Sequence, residues 1–386
     1  MLVGGFAPSV LPNSPVQAPN ENATTSVVTT QMQAIATSTI AGVPTIIYSE
    51  RTKTINTNER QWQTVTIYRK IGSQMPEALA SVGGVGEMPG RYRLSPNKRY
   101  LSISLETKLD ILDLQTKQLR TIFTPTQALN GAGAFSPDSS KLAVVDGSVY
   151  HYANNQQDKS ILNSIDIATG KDTVLKTEES LLYDDVQEWR PDGTLIVALS
   201  LPKGSGGDDL SYFNPADSSI HEIGTYTGES PGYLIGNGMR IALPSPDAAS
   251  PTCDVFLTDF YAITDPVSKK AYGTVGVKST AVDILGLSPD RTQVLLKVRS
   301  DSSHVLCGTL SATSEYYTQS ISGGAPVRVS DLSKLTSSWN IEVSPFIETK
   351  SLPMSSDNRF PDSIVFAGKE IIRSSDEAQV IAAYYP

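Results

Sequence analysis

The 386-residue chain predicts an all-β fold: a single β-propeller of seven four-stranded blades, with six or eight left open by the same spacings. The first observation behind this is a recurring turn. Leu94-Ser95-Pro96-Asn97, Phe135-Ser136-Pro137-Asp138, Trp189-Arg190-Pro191-Asp192-Gly193 and Leu287-Ser288-Pro289-Asp290 each close one apolar stretch and open another. Proline fixes φ at the first corner of a tight turn, and Asn, Asp or Gly is expected at the left-handed one. The second observation is the spacing. Ser95 to Ser136 is 41 residues, and Ser136 to Arg190 is 54. A degenerate copy, Ile235-Gly236-Asn237-Gly238, follows 45 residues later, and Ser288 comes 53 after that. A period of roughly 40–50 residues is the length of a four-stranded blade.

The remaining strands of each unit follow in order. The turns lead into second strands at Arg99–Leu105, Lys141–Val145, Thr194–Leu199, Met239–Leu243 and Thr292–Val298. A third strand, a polar turn and a fourth strand come next. They read Leu109–Leu114 and Gln118–Phe123, then Ser164–Ile167 and Asp172–Leu175, then Leu210–Phe213 and Ser219–Ile223. Leu109, Ile111 and Leu114 against Asp110 and Asp113 give the weak period of two of half-buried strands. The units fall at about 45–80, 91–125, 132–177, 186–225, 231–277, 284–330 and 339–386. The last has two candidate turns, Ser344-Pro345 and Ser356-Asp357-Asn358, and a short helical turn is expected near Ser330–Thr336.

These Ser-Pro-Asp turns resemble the repeats of TolB-type periplasmic propellers, the WD40-like PD40 family, over residues 90–330. The Gly-His and Trp-Asp pairs of true WD40 repeats are absent, as are sialidase Asp-boxes. The family includes secreted binding scaffolds, the propeller halves of prolyl-peptidase-like hydrolases and some sugar-acid lyases, so the resemblance implies a fold and leaves the activity open.

Composition bounds the partners. The net charge of −9, from 31 basic and 40 acidic residues without a basic run, argues against nucleic acid. Residues 1–44 carry one charged side chain, Glu21, and little large apolar surface. Residues 1–30 therefore read as a Ser/Thr/Pro/Asn-rich leader or stalk and 31–386 as the propeller domain. Within Val27–Ile40, the part Gln31–Ile40 either continues that tail or pairs with the last blade, where joining the termini would remove a strand edge. No segment reaches the roughly 18 apolar residues of a membrane span, and no signal-peptide pattern follows Met1. A leader with a single charged side chain before a propeller suggests an extracytoplasmic protein, in the periplasm or on the cell surface, held to a membrane only through an anchor absent from this chain.

Catalytic motifs are missing. There is no Gly-x-Ser-x-Gly elbow, no His-Glu-x-x-His and no Walker-type loop. The 3 histidines, His151, His221 and His304, stand in different units and do not suggest a metal centre. Cys253 and Cys307 fall in third strands of consecutive units, where an inter-blade bridge or two buried thiols both fit. Trp189, just before its turn, is expected to wedge between blades.

What remains is the channel mouth, where the connections entering the first strands gather on one face. These are expected at Gly83–Pro89, Asn130–Ala134, Tyr183–Glu188, Thr227–Tyr233, Val282–Gly286 and Ser337–Glu342. They would bring together Glu87, Asp184, Asp185, Glu188, Glu229, Asp283 and Glu342 with Tyr183, Tyr233 and Trp339; Arg91 and Arg93 are the nearest basic residues. Converging carboxylates suit Ca²⁺, with Asp184, Asp185 and Glu188 as its ligands, or a basic segment of a partner; a solvated acidic surface is the alternative. The expectation is a non-catalytic scaffold that captures a protein segment or small ligand at this mouth, with no other cofactor. A carbohydrate-active lyase or hydrolase using the acidic rim and a structural envelope component or adhesin are the other readings.

Overall fold

The recurring turn shows why its residues are needed. In three copies the serine hydroxyl donates to the third residue of the motif: Ser95 to Asn97 at 2.7 Å, Ser136 to Asp138 at 2.6 Å and Ser288 to Asp290 at 2.6 Å. The same Asn or Asp oxygen accepts the backbone N–H two residues on, from Arg99, Ser140 and Thr292. The Ser136 hydroxyl, then the Ser140 N–H, hold the Asp138 carboxyl at about 2. The left-handed corner lies one residue later than the sequence suggested in these copies, at Lys98, Ser139 and Arg291, with φ near 60°. The fourth copy is shorter, and Gly193 takes the corner at φ 86°. The Asn or Asp is there as an acceptor, and a side chain bearing Cβ tolerates the strained corner.

That strain gives a test. Arg291 is exposed, so Arg291→Gly is expected to stabilise by roughly 0.5–1 kcal/mol, the left-handed penalty less the entropy glycine adds to the unfolded chain. Ser139 is buried and its hydroxyl accepts the Asn97 N–H of the neighbouring blade at 3.1 Å. Ser139→Gly should gain nothing, and equal gains in urea midpoint would contradict this account.

The computed structural model describes residues 44–385 except 57–58, 84–90, 106, 127–128, 148–159, 179–181, 201–206, 228–232, 236–239, 245–259, 265–269, 278–280, 300–313, 340–346, 357–358 and 367–368. Strands β1 (Thr45–Asn56), β2 (Glu59–Ile71) and β3 (Glu77–Val82) open the fold. The next sheet is β4 (Arg91–Leu94), β5 (Tyr100–Leu105), β6 (Lys108–Asp113) and β7 (Leu119–Phe123). Then come β8 (Leu129–Phe135), β9 (Lys141–Gly147), β10 (Ser160–Asp166) and β11 (Asp172–Glu178). The fourth sheet is β12 (Leu182–Trp189), β13 (Leu195–Ser200), β14 (Gly207–Asn214) and β15 (Ser219–Thr227). The fifth is β16 (Tyr233–Ile235), β17 (Arg240–Pro244), β18 (Phe260–Thr264) and β19 (Ala271–Gly276). The sixth is β20 (Ala281–Leu287), β21 (Gln293–Arg299), β22 (Ser314–Ser320) and β23 (Val327–Arg328). Helix α1 (Leu332–Trp339) precedes β24 (Ile347–Ser351), β25 (Asp362–Phe366), β26 (Lys369–Arg373) and β27 (Glu377–Tyr384). All pairings are antiparallel, and among the described residues six sheets have four strands and β24–β26 has three.

The arrangement is that of a propeller, and burial on both faces of the middle strands makes it so. On β5, Leu101, Ile103 and Leu105 pack against Ile47, Val65 and Ile67 of the preceding sheet. On β9, Leu142 and Val144 pack with Leu109 and Ile111, whereas Ala143 and Val145 face Val186 and Val197 of the following sheet. Successive residues of a strand point to opposite faces, so each second strand contributes to two inter-sheet cores. Each buried Leu, Ile or Val there stabilises by about 1.5–3 kcal/mol. Trp189 packs, half-buried, against the core shared by the third and fourth sheets, between blades as expected. Third and fourth strands add polar latches to the next blade's turn: Arg69 of β2 donates to Leu114 O at 3.0 Å, Arg120 of β7 to Ile167 O and Lys176 of β11 to Ser218 O at 3.1 Å.

The ends of the described chain meet. β27 pairs with β1 from Thr45↔Tyr384 to Arg51↔Glu377, completing the first sheet in the order β27-β1-β2-β3. Closure therefore uses Thr45–Arg51; Gln31–Ile40 lies outside the described residues. The expected last unit, 339–386, is divided, because β27 belongs to the first sheet. Only residues 374–376 separate β26 from β27, as 179–181 separate the outer β11 from the inner β12. By that parity β27 is the inner strand of the first sheet. The candidate turn Ser344-Pro345 lies outside the described residues.

Candidate functional site

Four antiparallel strands return the chain to the face it left, so every inner strand begins on the same face. Arg91 opens β4, Leu182 opens β12, Ala281 opens β20 and Glu377 opens β27. The expected connections are shorter than the sequence suggested, because Asn130–Ala134, Tyr183–Glu188 and Val282–Gly286 are inner-strand residues of β8, β12 and β20.

β8 bends out of the way of its neighbours. Asn130 pairs with Val145 and Ala134 with Ala143, so three residues, Gly131, Ala132 and Gly133, lie opposite the single Val144. Gly131 and Gly133 adopt φ of 75° and 73°, which glycine alone takes without strain. A Cβ on Gly131 would stand 1.8 Å from Asp185 Oδ1, and one on Gly133 2.5 Å from Ala143 O. Across this bulge the blades on either side meet directly. Arg91 Nη1 of β4 lies 3.0 Å from Asp185 Oδ2 of β12, and Arg93 Nη1 donates to Gln187 O at 2.7 Å. Ser102 Oγ donates to Ala132 O at 2.9 Å, fixing the bulge from below.

β12 carries two further irregularities. Its register with β13 shifts at Tyr183/Asp185 and at Val186/Glu188, so Asp184 and Gln187 are extra residues that re-aim their neighbours. Asp185 is buried at 3% exposure, while the Arg91 side chain is 57% exposed. Glu188 is partly buried, and its Oε1 has neither solvent nor a hydrogen-bond partner. Burial pushes its carboxyl up to about 7, against the opposing pull of Arg190 and Arg93. Arg190 takes the place that serine has in the other turns; it is buried, lies over the Tyr212 ring at 5.1 Å and reaches Asp192 at 3.6 Å.

The expected acidic rim is thus altered. Tyr183 is a core residue, 1% exposed, with its hydroxyl raised far above the ordinary phenol range by burial. Asp185, one of the three residues that would ligate Ca²⁺ if it bound here, faces Arg91. Asp283 lies on β20 directly opposite Lys297 of β21. Trp339 ends α1 and packs against the closure core of Ile46, Tyr48 and Ile364. Asp184 and Tyr233 have described backbones only. Glu87, Glu229, Glu342, Cys253, Cys307, His151 and His304 lie outside the described residues. His221 is exposed on the outer strand β15. Among the described residues no three His, Cys, Asp or Glu side chains gather as metal ligands, and no helix is long and apolar enough to cross a membrane. The sequence reading missed the Arg91–Asp185 link; paired glycines in Asn130-Gly131-Ala132-Gly133-Ala134, within a strand, were the signal for the bulge beneath it.

No protein-family model matches the sequence, and no curated protein matches it. The solved structures it is similar to include TolB from Acinetobacter baumannii, 15% identical, with a TM-score of 0.39 over 72% of this chain and 62% of that one. An oligogalacturonate lyase in complex with manganese is 13% identical, with a TM-score of 0.46 over 90% of this chain and 99% of that one. The oligogalacturonate lyase from Vibrio parahaemolyticus is 13% identical, with a TM-score of 0.47 over 89% and 98%. The chain spans less than two thirds of the Acinetobacter TolB and nearly the whole of both lyases. TolB and these lyases are the kinds of propeller that the Ser-Pro-Asp turns resemble, and the likeness carries no argument about activity.

Proposed function

We propose that the chain is an extracytoplasmic, non-catalytic propeller of seven blades that holds a protein segment or small ligand at the face where its inner strands begin. The observation that carries this is the Arg91–Asp185 link across Gly131. It fixes a polar platform between the second and fourth blades and leaves most of the Arg91 side chain in solvent, where it can receive a carboxylate or carbonyl of a ligand. For the seventh blade, β24–β26 supply three strands, and the sequence at 340–346, Asn-Ile-Glu-Val-Ser-Pro-Phe, repeats the apolar-then-Ser-Pro order found before other second strands. The leader, with Glu21 as its one charged side chain, supports the location.

The second reading, a carbohydrate-active lyase or hydrolase, rests on Glu188, whose raised carboxyl is in the range of a general acid. Peptide and oligosaccharide arrays, probed with wild type, Arg91→Ala and Arg291→Gly, separate the readings. A ligand that binds wild type and Arg291→Gly but loses at least about tenfold with Arg91→Ala, a loss of roughly 1.4 kcal/mol, supports the scaffold. Turnover of a bound saccharide to an unsaturated or hydrolysed product, abolished by Glu188→Gln, replaces it with the enzyme. Binding indifferent to Arg91 removes the mouth as the site.

A further inference from the structure

The first sheet outgrows its own blade at the face where the inner strands begin. β27 starts at Glu377, opposite Arg51, and β3 ends at Val82, opposite Val65. β1 and β2 nevertheless run on together from Thr52↔Thr64 to Asn56↔Glu59, with one register shift between Thr52 and Lys53. Among the described residues no third strand pairs with either of them beyond Arg51 and Val65. A two-stranded ribbon therefore continues past a four-stranded sheet. A hairpin of two strands is marginally stable alone in water, and it leaves a strand edge on each side.

Opposite residues of an antiparallel pair share a face, as do alternate residues of one strand. Lys53↔Trp62 and Ile55↔Arg60 therefore place Lys53, Ile55, Arg60 and Trp62 on one face of the ribbon. Thr54↔Gln61 and Asn56↔Glu59 take the other, so the first face holds two cations and no acid. It continues the face of Arg51, Ile47 and Val65, and the last two pack against Leu101 and Leu105 of the second blade. Arg91, with its side chain 57% exposed, opens that blade at the same end. Trp189 and Trp339 pack into cores between blades, whereas Trp62 stands where the sheet has only two strands. Tryptophan and arginine are the residues that most often dominate protein interfaces, and a cationic face on a chain of net charge −9 selects an acidic partner. We propose that this ribbon docks an acidic protein segment with an apolar anchor. Carboxylates of the segment meet Lys53 and Arg60, its anchor packs on Trp62 and Ile55, and its chain runs on to Arg91. This rests on the reading that the propeller holds a protein segment at this face, and it names that segment's chemistry.

The register supplies a clean variant. Replacing Lys53–Gln63 by Asn-Gly closes the hairpin at Thr52↔Thr64 with a favoured two-residue turn and leaves the four-stranded part whole, so the unfolding temperature should not move. The probe is an array of short peptides rich in Asp and Glu with a single Leu or Phe, beside copies in which Lys and Arg replace the acids. Wild type should bind the acidic set alone, and more weakly as salt rises. Trp62→Ala should weaken that binding at least about tenfold, and the shortened ribbon should abolish it. Lys53→Glu combined with Arg60→Glu should turn the preference to the basic set. If the shortened chain folds poorly, the point variants, which keep the backbone, decide the question. The proposal is overturned if no acidic peptide binds wild type, or if wild type and the shortened ribbon bind them equally. A ribbon-dependent dimer in sedimentation would overturn it in favour of a second copy of this chain, and ribbon-dependent binding to anionic phospholipid vesicles without peptide binding in favour of a membrane. Arg91→Ala separates the arm from the platform. Binding lost in Arg91→Ala but kept with the shortened ribbon ends the docking arm and leaves the platform; the reverse keeps the arm and ends the platform.

Discussion

Gly131→Ala is expected to destabilise the protein by about 2–4 kcal/mol, although it adds one methyl group. Part of that is backbone: at φ 75° an L-residue pays about 1–2 kcal/mol that glycine does not. The rest is the neighbour it would strike. The added Cβ falls 1.8 Å from Asp185 Oδ1, so the carboxylate must leave, and its pairing with Arg91 at 3.0 Å goes with it. Breaking a buried pair by displacing one partner costs about 3–5 kcal/mol, and solvent around Arg91 reduces that here. The two contributions separate in a double-mutant cycle. In an Asp185→Ala background the collision is gone, and Gly131→Ala should cost only the backbone share. The measurement is the urea midpoint of the four proteins; a cost for Gly131→Ala that is the same in both backgrounds would remove the close approach from the account.

The same bulge marks how far the sequence could be read. The blades were legible because their signals are local: a proline and an acceptor at fixed offsets, followed by apolar residues that alternate between two cores. β5, β6, β7, β9 and β21 lie within a residue or two of the strands predicted from those signals. The left-handed corners at Lys98, Ser139 and Arg291 were placed one residue early, because Asn and Asp are common both as acceptors and as left-handed residues. The sequence leaves Gln31–Ile40 either as tail or as a closing strand; the pairing of the two ends that the structure describes is between Thr45–Arg51 and β27, and Gln31–Ile40 lies outside the described residues. Strand pairing over more than three hundred residues leaves no mark within a window of the chain.

The site was the least legible part, for a related reason. Tyr183, Asp185 and Glu188 group together in the sequence because Tyr183–Glu188 reads as one connection entering an inner strand, whereas in the structure all three lie within β12. Two register shifts in β12 then redistribute them: Tyr183 into the core, Asp185 onto Arg91, Glu188 into an unpaired pocket. No composition rule anticipates a bulge at Asp184 or Gln187. Charged residues acquire their roles here from contacts between blades, and those contacts are not written in any single repeat.

Glu188 makes the strongest pH-dependent prediction. Its native carboxyl titrates at about 7, while a glutamate in the unfolded chain titrates near 4.3. Between those values the native state holds a proton the unfolded state has lost, so this residue's contribution is fully present below about pH 4.3 and is lost as pH rises through 7. Glutamine mimics the protonated form. Glu188→Gln should therefore match wild type at pH 4 and exceed it by up to about 4 kcal/mol at pH 8.5, the shift multiplied by about 1.4 kcal/mol per unit. Urea midpoints at the two pH values decide it, and an equal gain at both would mean that the buried oxygen is not the cause. A natural sequence that keeps an acid where glutamine is more stable retains it for something other than folding, and a ligand group or a transferred proton at the mouth is what such a carboxyl can serve. If Glu188→Gln stabilises at high pH and leaves array binding intact, the role is proton transfer and the enzymatic reading advances. If it stabilises and binding falls, the carboxylate is part of the platform that holds the ligand.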